Sequence, residues 1–294
     1  MDDQANDLRR LVRHHARSAN TEAGGGAARQ GRLLAVTGGK GGVGTTTVAV
    51  HLAAALARGG VRTALVDADP GGGDVAVLCG LEPGRSLADV TAARRAVWEV
   101  LRPGPAGTVV APGPFATASF VDEAHRGQER ILSALESLRT RFDFLIVDSG
   151  NDIHRTARRI WRRADAVLAV TTVEPASVLD TYGAIKVLTA SASPAAIHLL
   201  VNRVADAAAA EDVVARLRRA CLRFLGVRFR YAGFLPVDAA LAPDGRSGPA
   251  VPLAERSAAA DRFRRLAARL VEPACDDDVN AAGHDTGQVA ACGG

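Results

Sequence analysis

Between Arg32 and about Val271, short apolar runs of strand length alternate with longer segments whose apolar residues recur at helical spacing. The runs are Leu33–Thr37, Thr63–Val66, Thr108–Ala111, Phe144–Val147, Ala166–Thr171, Ile197–Val201 and Phe229–Ala232. They are apolar almost throughout rather than at every second position, the mark of strands covered on both faces. Segments such as Val48–Ala57 and Ala258–Val271 between or after them read as helices. The pattern predicts an α/β fold: a doubly wound, mainly parallel sheet of about seven or eight strands with helices on both faces.

The ends of the chain break this rhythm. Residues 1–30 are polar, with a short helix expected over Asp7 to Ala16 and a flexible linker closing in Gly24-Gly25-Gly26. Residues 273–294, with the run Asp276-Asp277-Asp278 and a Gly- and Ala-rich end, are expected to be a disordered acidic tail. Residues 31–272 are left as one domain, and no internal repeat is visible.

Composition narrows the function classes. A net charge of +4 comes from arginines scattered over many segments, so no specific nucleic-acid surface is expected. Cys79, Cys221, Cys275 and Cys292 have no CxxC spacing, which argues against zinc and against a disulfide framework. No segment reaches the roughly 18 apolar residues of a membrane span, and the N-terminus lacks a signal-peptide pattern. A cytoplasmic protein is expected.

Candidate chemistry begins directly after the first strand. Gly38-Gly39-Lys40-Gly41-Gly42-Val43-Gly44-Thr45-Thr46-Thr47 leads into a helix, with five glycines among residues 38 to 44. Glycines let consecutive backbone N–H groups converge on phosphate oxygens, and the helix N-terminus adds donors and partial positive charge. A ligand-free turn would have little use for so many glycines. Gly39, Gly41 and Gly44 also spell GxGxxG, with Asp67 ending the next strand as a dinucleotide fold would require. The hydroxyls of Thr45, Thr46 and Thr47 and the later strand ending in Asp148 suit magnesium and phosphate, which hydride transfer does not need. They favour a nucleoside triphosphate.

This loop, with Val66-Asp67-Ala68-Asp69 after the second strand, resembles the deviant Walker A ATPases of the MinD and ParA type, whose pattern is KGGxGKTT followed by DxD. The resemblance spans most of residues 32 to 271. It implies that ATP and Mg2+ bind at Gly39, Lys40, Gly41, Gly42, Val43, Gly44, Thr45, Thr46 and Thr47. Lys40 would reach the phosphates held by the opposite subunit of an ATP-dependent homodimer, and Asp69 would orient water. Thr46, Asp67 and Asp148 would serve the magnesium, while Asn202, Arg203 and Pro236, the last in a Gly233–Asp238 loop, would flank the base.

One departure stands out: the family's second loop lysine is Thr45 here. The chain has only Lys40 and Lys186 as lysines among abundant arginines, so compositional drift would have placed arginine there. Losing a charge-assisted phosphate contact costs about 1.5–3 kcal/mol, or one to two orders of magnitude in affinity. Hydrolysis is therefore less secure than binding.

Asp3-Gln4-Ala5-Asn6-Asp7-Leu8-Arg9 is similar to the DQAxxLR helix of the flagellar-number regulators (FlhG, FleN, YlxH). That resemblance implies stimulation of a signal-recognition-type GTPase, FlhF, with Gln4 as the activating residue. The stretch Thr171 to Lys186 and the segment Arg223 to Val227 point to the same branch. Proline after Glu174 stops the strand and Ser177 helps open the next helix; sheet packing alone would explain Ile185 and Leu188.

Asp74 and Gly71-Gly72-Gly73 depart from the family's switch segment, and the seven histidines show no ligand spacing. Helix Ala258–Val271 places Phe263, Leu266, Leu270 and Val271 opposite arginines, which suits either a transient membrane contact or closure of the domain. Two readings stay open. One is an ATP-driven switch controlling flagellar number; the other is a hydrolysis-deficient nucleotide-sensing scaffold, or a positioning ATPase of the ParA, pilus or cellulose-secretion kind.

Overall fold

The structure, a computed structural model, describes residues 30–71, 74–114, 125–191, 193, 195–238, 241 and 258–271. The expected N-terminal helix with Gln4, and the acidic tail, lie outside these residues. In chain order the elements are β1 (Arg32–Gly38), α1 (Thr45–Arg58), β2 (Thr63–Asp67), α2 (Asp74–Leu78), α3 (Leu87–Thr91), α4 (Val97–Val100), β3 (Arg102–Pro103), β4 (Val109–Ala111), α5 (His125–Arg139) and β5 (Phe144–Asp148). Then come α6 (Arg155–Arg163), β6 (Ala166–Thr171), α7 (Pro175–Ala190), β7 (Ala196–Val204), α8 (Ala207–Leu225), β8 (Arg230–Pro236) and α9 (Ala258–Val271).

The eight strands form one sheet in the order β3-β4-β2-β5-β1-β6-β7-β8, parallel except for the β3 and β4 pair. Alternate residues of each central strand serve opposite layers. Leu34 and Val36 join α1 and α9 on one face, whereas Leu33 and Ala35 join α5 and α6 on the other. Both faces are covered, so the apolar runs are continuous.

Several boundaries differ from expectation for local reasons. α1 starts at Thr45 rather than Val48, because Gly44 adopts the left-handed conformation (φ 91°) that turns the chain into the helix. β8 runs from Arg230 to Pro236, so most of the expected Gly233–Asp238 loop is strand, held to β7 as far as Val204 beside Pro236. β7 likewise continues past Asn202-Arg203, where the pairing slips and Arg203 takes φ 57°. β3 was not expected: it is two residues long and ends in a proline, which an edge tolerates.

α9 spans the expected residues. Phe263, Leu266 and Leu270 are buried against α1, while Val271 falls outside that face. Burying each of the three contributes about 1.5–3 kcal/mol, so this face is committed to closing the domain. Among the described residues no helix is long and apolar enough to cross a membrane.

Candidate nucleotide site

The glycine loop leaves the C-terminal end of the central strand β1 with β5 and β6 on either side. Ligands of open parallel sheets settle at this end. Val48 is the first residue of α1 whose N–H closes a helical bond, to the Gly44 carbonyl, so the amides of Thr45, Thr46 and Thr47 precede the ladder. No side chain caps them and no acid occupies the first turn. An anion is the natural occupant.

The inner side of the loop is tightly braced. A Cβ on Gly39 would lie 2.2 Å from the Thr181 backbone nitrogen, so α7 approaches as only glycine allows. The Asn202 side-chain amide donates to the Val43 carbonyl at 2.8 Å, and its oxygen accepts the Arg203 N–H at 2.9 Å. Asn202 therefore props the loop from below, a role its sequence motif did not suggest. Arg203 is exposed and Pro236 half-buried on the neighbouring strand ends.

Thr45 is also turned inward. It is 2% exposed, and its hydroxyl donates to the Asn151 side-chain oxygen at 2.7 Å. Asn151 follows β5, where Thr37 Oγ1 and the Gly38 N–H both donate to the Gly150 carbonyl. Trp161 Nε1 donates to the Ser149 hydroxyl, which in turn donates to the Val36 carbonyl. These bonds fasten the glycine loop to the segment that follows the acidic strand end. Sequence reading missed Asn151; a polar residue three positions after Asp148 was its only signal.

The acids gather across the sheet. Asp67 and Asp148 are register partners on β2 and β5, 1% and 0% exposed. The Asp69 carboxylate lies over Gly150, at φ 73°, where a Cβ would come within 2.6 Å of Asp69 Cγ. Burial pushes the Asp148 carboxyl up to about 6; the Thr46 hydroxyl and Gly150 N–H oppose this, and Asp69 and Asp74 add to it.

Asp148 Oδ1 accepts the Gly150 N–H, but its buried Oδ2 has no hydrogen-bond partner among the described residues. An orphaned buried carboxylate oxygen beside a hydroxyl suits a cation. No three His, Cys, Asp or Glu side chains group closely enough to hold a metal alone among the described residues.

The outer side of the loop is different. Gly41 and Gly42 are exposed, and a Cβ on either would meet nothing within 4 Å. Lys40, the loop's own cation, extends to Glu174 at the start of α7, with Nζ to Oε2 at 3.1 Å. Ser177, fully buried, accepts the Thr172 N–H and so ties the turn carrying Glu174 to β6.

Known proteins are similar to this chain in sequence and fold. Residues 34–272 match the family described as the CobQ/CobB/MinD/ParA nucleotide binding domain. The chain is similar to the antiactivator FleN of Pseudomonas aeruginosa, 37% identical over 207 residues that cover 70% of this chain and 74% of FleN. It is also similar to the flagellum site-determining protein YlxH of Helicobacter pylori, 29% identical over 187 residues, 60% of this chain and 59% of YlxH. Among solved structures, the cell division ATPase MinD of Pyrococcus furiosus matches with a TM-score of 0.64 at 25% identity, over 82% of this chain and 98% of that one. With a braced glycine loop, an acidic β5 end and these relatives, the chain belongs to the MinD/ParA nucleotide-binding family, among its flagellar-number regulators.

Proposed function

We propose that the protein is an ATP-binding switch that regulates flagellar number or placement, dimerising on ATP and acting through its N-terminal segment. The observation that carries the binding step is the orphaned Asp148 Oδ2, together with a helix start that no side chain caps and no acid neutralises. ATP would lie along Gly39 to Thr47, with its magnesium served by Thr46 and Asp148 and its base near Asn202, Arg203 and Pro236. Magnesium would supply charge neutralisation at the phosphates. Asp67, the register partner of Asp148, accepts the Asp69 N–H at 3.3 Å, and the Asp69 carboxylate lies over Gly150, where it would orient water.

Lys40 is the loop's only cation, since Thr45 is uncharged and faces Asn151. Its ion pair with Glu174 is exposed, with side chains 42% and 64% accessible, and contributes at most about 1 kcal/mol. A second subunit presenting triphosphate would therefore draw Lys40 away at little cost. In this reading the dimer forms when Lys40 exchanges Glu174 for phosphate. The DQAxxLR-like segment with Gln4 would then stimulate a signal-recognition-type GTPase resembling FlhF.

A specific observation favours a second reading, a nucleotide-sensing scaffold that does not hydrolyse. The Thr45 to Asn151 bond occupies the place where the family motif carries its phosphate-neutralising lysine. ATP binding and turnover of wild type and Thr45→Lys separate the two. Measurable wild-type turnover supports the hydrolytic switch, whereas turnover at the uncatalysed rate with an active Thr45→Lys leaves the scaffold. A peptide of residues 1–20 added to the GTPase tests the output arm, which fails if Gln4→Ala stimulates equally.

A further inference from the structure

A second polar recess lies away from the nucleotide site. It opens between β8, at the edge of the sheet, and α9, with a volume of about 140 Å3. Two strands, β6 and β7, separate β8 from β1, so the recess stands roughly 14 Å across the sheet from the glycine loop's strand. Its walls include Arg262, Arg265 and Arg269 from α9, Glu211 from α8, and Tyr231 and Phe234 from β8.

The arginines recur at i, i+3 and i+7, which sets them on one stripe of α9 facing the sheet edge. Among the described residues none of the three has an ion-pair partner. Arg262 stacks over the Phe234 ring at 4.0 Å from its centroid, and Arg269 Nη1 donates to the Ala232 carbonyl at 3.2 Å. These two guanidiniums are held in place before any ligand arrives, while Arg265 has no partner among the described residues.

The Tyr231 hydroxyl is buried and has no hydrogen-bond partner there either. The strand is shaped around the recess as well: pairing with β7 slips at Ala232, and Gly233 adopts φ 123° where a Cβ would approach Arg269 Nη1. Bulges of this kind re-aim side chains beside binding sites.

We propose that this recess binds a soluble phosphorylated small molecule through Arg262, Arg265, Arg269 and the Tyr231 hydroxyl. Three guanidiniums against the single Glu211 carboxylate leave two positive charges, which match a phosphomonoester dianion. Arginine forks suit its oxygens, and Tyr231 supplies a further donor. Glu211 repels the phosphate itself but accepts from a hydroxyl or amine on the ester, so it selects for a ligand carrying one. The volume is below the roughly 300 Å3 of drug-sized pockets, so the occupant is a phosphate ester of few atoms. A lipid headgroup is disfavoured because the apolar face of α9 is spent inside the core.

The test is thermal unfolding of the full chain, loaded with saturating ADP and Mg2+, in rising orthophosphate against chloride of equal ionic strength. A saturable rise in Tm is expected. Arg265→Ala should weaken the apparent phosphate affinity by about tenfold and Tyr231→Phe by about fivefold, with ADP affinity unchanged in both. Tyr231→Phe removes a hydroxyl with no partner among the described residues, so the phosphate-free protein should unfold no earlier than wild type. No response to phosphate, or an equal response in both variants, overturns the proposal. Binding only to phosphatidylglycerol vesicles, with no response to orthophosphate, overturns the soluble ligand.

Discussion

The two sides of the glycine loop are built on opposite principles. On the inner side, Gly39 abuts the α7 backbone, the Val43 carbonyl is capped by Asn202 and the Thr45 hydroxyl by Asn151. On the outer side, Gly41 and Gly42 face open space and Lys40 is held by one exposed ion pair. Buried neutral bonds of the inner kind are costly to break, about 1–3 kcal/mol for each group left unsatisfied. The outer pair contributes at most about 1 kcal/mol. The inner geometry is thus preset, while the side that would meet a second subunit in the proposed dimer is held by one weak contact.

Substitutions can break this contrast in graded steps. Gly44→Ala should do the most damage, because its φ of 91° strains an alanine and the new Cβ would lie 2.5 Å from Asn202 Nδ2. Left-handed strain and the displaced amide together cost about 2–5 kcal/mol, so ATP affinity by calorimetry should fall roughly a hundredfold. A loss under threefold would show that the loop is not braced from below. Next comes Asn202→Ala, which uncaps the Val43 carbonyl and should weaken ATP binding about tenfold.

Asp148 joins the inner side to pH. Its carboxyl is raised to about 6, so magnesium-dependent ATP binding should weaken as pH falls through 6 and the group takes up a proton. Stability of the empty protein runs the other way. A carboxyl raised in the folded state binds more protons folded than unfolded, so its contribution is full below about 4 and is lost as pH rises through 6. In chelator, Asp148→Asn should therefore melt above wild type at pH 8, with the gap about halved at pH 5 and closed below about 4. An Asp148→Asn melting point equal to wild type at pH 8 would count against a carboxyl raised by burial.

The smallest effects belong outside. Gly41→Ala should change ATP affinity less than about twofold, and Glu174→Ala should move stability by no more than about 1 kcal/mol. A large loss in either would mean that the outer side is also fixed before ATP arrives.

Legibility in the sequence followed the same division. The central strands were plain because covering both faces demands unbroken apolar runs, as in Phe144 to Val147. The loop was plain because close backbone approach demands glycine at Gly39 and Gly44. The braces were not, since Asn151 and Asn202 act across 106 and 159 residues of sequence and asparagine has many ordinary uses. β3 escaped because a two-residue edge pairing has no period to read. The acid at Asp148 was expected from its place at a strand end, but its unpartnered oxygen is a property of packing alone.

The most direct test is sedimentation of wild type and Lys40→Ala with saturating ATP and Mg2+, beside calorimetric ATP binding for both. Wild type should shift from monomer to dimer, and Lys40→Ala should stay monomeric while keeping ATP affinity within about tenfold. A Lys40→Ala protein that dimerises as wild type does, or a wild type that binds ATP and stays monomeric, would contradict the exchange of Glu174 for phosphate.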